Sequence, residues 1–256
     1  MEYTAIGDGP RALLTIPGGP GSDVPTGLQA RLSERQYAGY LDAGYTVWTA
    51  TRPRHMPPGH TVIDMAADYA RFAREEIGGP VDVLGESYGG IIAIHLAAGH
   101  PDVLRRVVVA GAAATVSAWG SEVDARWARQ RAEGRHSEAG ATSLEYIIDG
   151  PRWAPVRRAV GPIAGRLFAS SDTPPGDLLV EVAAEKSYDA TDVLERIAVP
   201  VLVACGAADR FFPVDEVRAT AARIPNCSLI LYPGLGHVRA LSSPRLYRDA
   251  LEFLTA

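Results

Sequence analysis

The sequence predicts an α/β protein: one mostly parallel sheet with helices on both faces. Three observations carry that prediction. Between residues 11 and 111, short apolar runs alternate with helical segments, in the order strand, helix, strand, helix, strand, helix, strand. Such alternation marks parallel strands joined by crossover helices. The rhythm stops at Gly111 and resumes at Val199. Finally, Gly85-Glu86-Ser87-Tyr88-Gly89-Gly90 lies at one of the strand-to-helix junctions.

The elements follow in order. Glu2 to Ile6 is a candidate edge strand, closed by the turn Gly7-Asp8-Gly9-Pro10. Ala12-Leu13-Leu14-Thr15-Ile16 is unbroken enough to be a central strand. It runs into Pro17-Gly18-Gly19-Pro20-Gly21, where glycines let backbone approach a ligand. Thr26 to Leu41 reads as a helix ending at Gly44, and Tyr45 to Ala50 as the next strand. Arg52 to Gly59 is a proline-rich loop. Thr61 and Asp64 then open a helix as a capping box, and Val62, Met65, Tyr69, Phe72 and Ile77 follow at helical spacing up to Gly78-Gly79-Pro80. Val81-Asp82-Val83-Leu84 is a buried strand, Ile91 to Ala98 a buried helix, and Arg106 to Ala110 a further strand.

From 115 to 188 no strand is predicted. Ser121–Glu133, Ser143–Ile148 and Asp177–Ser187 read as helices, so residues 115–188 form an inserted helical cap on a core made of 1–114 and 189–256. The core resumes with a strand over Val199–Cys205, a helix over Val214–Arg223, a strand over Ser228–Tyr232 and a last helix over Ser243–Leu254, with Pro244 in its first turn.

The chain has 256 residues, 47% apolar and 21% charged, as expected of one globular domain. A net charge of −5 without a basic patch argues against nucleic acid. The first ten residues lack a basic-then-apolar leader, and no apolar run is long enough to span a bilayer. A cytoplasmic protein acting on a small molecule is expected, with oligomeric state left open. Cys205 and Cys227 fall on neighbouring strands roughly 15 Å apart along the chain direction, which predicts two small buried thiols and no disulfide.

Gly-x-Ser-x-Gly between strand and helix is a nucleophile elbow. A tight turn strains Ser87 and leaves no room for a Cβ at 85 or 89, so the hydroxyl projects at a helix start. A serine hydroxyl needs a base. Of six histidines, His237 follows the last strand in Pro233-Gly234-Leu235-Gly236-His237, where glycines let the loop fold over the sheet edge. His55, His60, His95, His100 and His136 read as structural or solvated. Asp209, in the loop after the Val199–Cys205 strand, reaches the same edge and is the candidate acid. The N–H groups of Tyr88 and Gly19 are the candidate oxyanion donors, because Pro20 has none.

On these four stretches the chain resembles the α/β-hydrolase superfamily, in its serine-hydrolase branch. The resemblance implies an eight-stranded, mostly parallel sheet, a cap over the site, and hydrolysis without cofactor or metal. It points to a serine hydrolase cleaving a small carboxylic ester through an acyl-enzyme on Ser87. Gly18-Gly19-Pro20-Gly21 also resembles the loop of prolyl iminopeptidases, although Pro17 stands where that family has His. An aminopeptidase is therefore an alternative, and a non-catalytic binding protein on the same fold another. A peptidase of that kind needs cap carboxylates; Glu122, Asp124, Glu138, Glu145, Glu181 and Glu185 are available, each read as lying on a solvated helix face. Serine at 87 disfavours dehalogenase and epoxide hydrolase chemistry, which use aspartate there. The sequence assigns Arg52 and its loop no role.

Overall fold

The computed structural model describes residues 1–148, 150–168 and 171–256; Asp149, Ala169 and Ser170 of the expected cap lie outside them. The chain runs β1 (Tyr3–Ile6), β2 (Arg11–Ile16), α1 (Gly27–Gln36), α2 (Ala38–Asp42), β3 (Tyr45–Ala50), α3 (Val62–Phe72), β4 (Val81–Glu86), α4 (Tyr88–Gly99) and β5 (Leu104–Ala110). Then come α5 (Ala118–Ala132), α6 (His136–Ser143), α7 (Ala154–Phe168) and α8 (Pro175–Lys186), followed by β6 (Val201–Gly206), α9 (Val214–Arg223), β7 (Cys227–Tyr232), α10 (His237–Leu241) and α11 (Pro244–Thr255). Among the described residues no helix is long and apolar enough to cross a membrane.

The sheet order is β1-β3-β2-β4-β5-β6-β7, with β1 antiparallel to β3 and every other pairing parallel. All seven strands are those read from the residues. The eighth, implied only by the family resemblance, is absent among the described residues. At that edge β1 pairs antiparallel with β3.

Alternation along the strands makes two cores. Leu14, Ile16, Val83, Val107, Val109, Val201 and Val203 face α3, α4 and α9, while Leu13, Leu84, Val108, Leu202 and Ala204 face the side of α2 and α11. Each such Val, Leu or Ile side chain, fully buried, contributes about 1.5–3 kcal/mol. With both faces covered, the loops at the strands' C-terminal ends are where function can be carried.

Several expectations are corrected in detail. The helix expected over Thr26–Leu41 is two helices. Tyr37 leaves helical geometry and buries its ring edge-on to Tyr40 and Tyr247. The piece expected over Ser143–Ile148 lies earlier, as α6, followed by a single 3₁₀ turn over Leu144–Tyr146. Gly140 explains the shift: a Cβ there would lie 2.2 Å from the Gly161 carbonyl, so α6 forms because α7 presses against it. Both cysteines are free, with Cys205 opposite Leu231 and Cys227 opposite Val201. Cys205 is buried as expected; Cys227 is only half-buried. Helices α5 to α8, which fill the interval expected to form the cap, hold a small core of their own: Trp127, Ala128, Ala139, Leu178 and Val182.

Candidate active site

Ser87 sits between β4 and α4 with φ +51° and ψ −114°, a left-handed conformation costly for any residue with a Cβ. The flanking glycines make the turn possible. A Cβ on Gly85 would lie 2.4 Å from the Gly89 carbonyl oxygen, and one on Gly89 would lie 1.9 Å from that of Ile16. Backbone, not a movable side chain, fills both spaces. Tyr88 is the first residue of α4, so its N–H has no partner within the helix.

The three predicted side chains meet. Ser87 Oγ lies 2.8 Å from His237 Nε2, and His237 Nδ1 lies 2.7 Å from Asp209 Oδ2. His237 and Asp209 are both buried. The other oxygen of Asp209 accepts from the N–H groups of Phe211 and Phe212 at 2.8 and 3.1 Å. The rings of Phe211 and Phe212 lie 4.7 and 5.9 Å from that of His237. The buried Cys205 thiol, pushed up by burial and by the Asp209 charge, points at the same carboxylate. Of the remaining histidines, His95 is buried edge-on to Tyr188 and His60 pairs with Asp68, as structural roles require.

The loop after β2 lies against the elbow. A Cβ on Gly18 would be 3.0 Å from that of Ser87, so only glycine permits this approach. Gly19 has φ +69° with open space around it; there glycine serves conformation rather than room. No backbone acceptor among the described residues takes its N–H. Such a serine, base, acid and pair of free amides can attack a carbonyl and hold the resulting oxyanion.

The reading of the helical carboxylates is corrected for three of them. Asp124, Glu181 and Glu185 are buried, not solvated. Glu181 pairs with the buried Arg52. Asp124 accepts from Tyr146 Oη at 2.7 Å, and Glu185 lies within electrostatic reach of it. Burial raises both pKa values, and the Asp124 charge raises that of Glu185 further. One oxygen of Glu185 has no partner. Sequence reasoning missed Arg52, Glu181 and this pair; a charged residue's burial depends on partners far along the chain.

The pair yields a stability prediction. The folded chain keeps a proton that the unfolded chain releases above about pH 4, so stability falls as pH rises from there through the raised folded values. Glu185→Gln mimics the protonated partner and removes the Glu185 share of that slope, leaving that of Asp124. It is expected to be more stable than the parent at pH 8. The difference should shrink toward pH 4.5. Urea denaturation at both values checks this; a pH-independent difference would show that Glu185 holds no extra proton in the folded chain.

A cavity of about 510 Å³ lies against the loop, lined in part by Gly18, Gly19, Trp127 and Tyr146. A smaller one of about 120 Å³ reaches His237 and Phe211, with Tyr146 again in its wall. A third, about 790 Å³, lies between α2 and α11, away from the loop after β2; of the three, the 120 Å³ cavity alone is lined by His237, and none is lined by Ser87.

The model of the "Alpha/beta hydrolase family" matches residues 13–250. The chain belongs to that family. It is a hydrolase, and curated relatives of this alpha/beta hydrolase agree. RutD of Caulobacter sp. (strain K31), named for a proposed carbamate hydrolase activity, is 28% identical over 93% of this chain and 87% of its own. A pimeloyl-[acyl-carrier protein] methyl ester esterase of Neisseria meningitidis serogroup B is 30% identical over 69% of this chain and 71% of its own. Among solved structures, the enol-lactonase of Burkholderia xenovorans superposes with a TM-score of 0.77 at 20% identity, covering 100% of this chain and 96% of that one. That likeness is evidence of fold.

Proposed function

We propose that this alpha/beta hydrolase cleaves a small carboxylic ester through an acyl-enzyme on Ser87. His237 takes the hydroxyl proton as Ser87 attacks the carbonyl, then gives it to the leaving alcohol. Asp209 keeps the imidazole in the right tautomer and stabilises its charged form. The Gly19 and Tyr88 amides hold the oxyanion, and water then releases the acid. Helices α5 to α8 act as the cap, with the 510 Å³ cavity receiving the substrate. The observation that carries this reading is the unbroken relay from Ser87 Oγ through His237 to Asp209, 2.8 and 2.7 Å. An ester-cleaving relative is consistent with it.

A second reading, an aminopeptidase, has one observation in its favour. Asp124 and Glu185 form a buried acidic pair within electrostatic reach of His237, and an acidic pair suits a free ammonium group. Parallel panels of aryl esters and aminoacyl arylamides separate the two. Ester turnover with no arylamide turnover is expected. Arylamide turnover that collapses in Glu185→Gln would instead establish the second reading.

A further inference from the structure

The proline-rich loop after β3 contains a large buried side chain, Arg52, that the proposed reaction leaves unused. Arg52 is 1% exposed. Its Nη1 donates to the Pro17 carbonyl at 2.9 Å, and its Nη2 to the carbonyls of Gly19 and Gly21, both at 2.7 Å. Its Nε donates to Glu181 Oε1 of α8 at 2.7 Å. The other oxygen of Glu181 accepts from the Gly21 N–H. The guanidinium also lies 4.8 Å from the centre of the Tyr88 ring, and Tyr88 Oη donates to the Glu181 carbonyl at 2.8 Å.

We propose that Arg52 is the positioning residue of the oxyanion loop, and that Glu181 ties this loop to α8 so that cap and oxyanion hole move as one body. The inference rests on the hydrolase reading given above. Its physical basis is backbone freedom. Gly18 and Gly19 are adjacent glycines, the residues least able to hold one conformation unaided. The peptide plane carrying the Gly19 N–H lies between the planes carrying the Pro17 and Gly19 carbonyls. Arg52 holds both flanking carbonyls, and so the donor between them is aimed without being touched. Only a planar fork of five donors can do this. A lysine, with one compact ammonium group, cannot span three carbonyls and a carboxylate. Cap packing adds to the clamp: Thr173 Oγ1 accepts from the Ser22 N–H at 3.1 Å, and a Cβ on Gly21 would strike Leu178 at 2.9 Å.

The test is Arg52→Lys, with active sites counted by fluorophosphonate labelling taken to completion. Per labelled site, kcat on the best ester is expected to fall on the order of 10²-fold, the cost of an oxyanion donor, with KM changed by less than about threefold. The inhibition constant of a trifluoromethyl ketone, which forms a tetrahedral adduct, should rise by the same factor as kcat/KM falls. A kcat per labelled site equal to the parent's would reduce Arg52 to a folding role and overturn the proposal. So would a fall in kcat without weaker ketone binding. Should Arg52→Lys not fold, Glu181→Gln reads the same link, because the amide then faces either the Gly21 N–H or Arg52 with a donor. About a tenfold loss of kcat and of ketone affinity is expected there, and unchanged values overturn the inference. Failure of the hydrolase reading looks different: the parent enzyme itself would neither label nor turn over any ester.

Discussion

Ser87→Ala is expected to abolish fluorophosphonate labelling and to lower ester turnover by about 10⁴-fold or more. The magnitude follows from the chemistry removed. Without the hydroxyl no acyl-enzyme forms, and what remains is the catalysis that bound substrate, oxyanion amides and imidazole give to water. The fold should be unaffected. Alanine keeps the Cβ and therefore the strain at φ +51°, so no stability is gained from relaxing the elbow. The hydroxyl's contact with His237 Nε2 is the one hydrogen bond its side chain makes among the described residues, and losing it costs about 1 kcal/mol. A parent-like melting temperature beside a silent active site is thus the expected pair of results. Persistent labelling in the variant would mean that another serine reacts, and the elbow would lose its role.

The residues announce the sheet because a strand covered on both faces must be a near-continuous apolar run. Each of Val81–Leu84, Arg106–Ala110 and Val199–Cys205 is one, and the structure extends or trims them by only one or two residues. Ser87, Asp209 and His237 are readable for a related reason. Ser87 and Asp209 lie in the first residues after β4 and β6, His237 opens α10 at the end of the loop after β7, and parallel strands bring all three loops to one edge. Helix α7 is not readable. Pro155 and Pro162 interrupt its sequence, and its apolar residues Val156, Val160 and Ile163 face outward while Gly161 and Gly165 press against α6. A pattern read for a buried apolar face misses a helix packed through its glycines. Neither does the sequence disclose that Glu181 is buried. Its partner Arg52 is 129 positions away, and only the closed fold brings the two together.

Asp209→Asn should fold as the parent does and lose about 10⁴-fold in kcat, and the local hydrogen bonds say why. One carboxylate oxygen accepts from two backbone donors, the amides of Phe211 and Phe212, at 2.8 and 3.1 Å. Those donors cannot turn away, because each belongs to the loop leading into α9. An asparagine must therefore give them its oxygen, which keeps the loop intact and directs its NH₂ group at His237 Nδ1. Two donors cannot face each other, so Nδ1 becomes the acceptor and the imidazole proton moves to Nε2. There it points at Ser87 Oγ, 2.8 Å away, and the ring can no longer take the hydroxyl proton. Binding is untouched, so KM should stay near the parent value while kcat collapses. A melting temperature within a few degrees of the parent would exclude misfolding as the cause. If turnover instead stayed near normal, the acid role would pass to another carboxylate. Asp124 is the one to test next, since it is buried within electrostatic reach of His237.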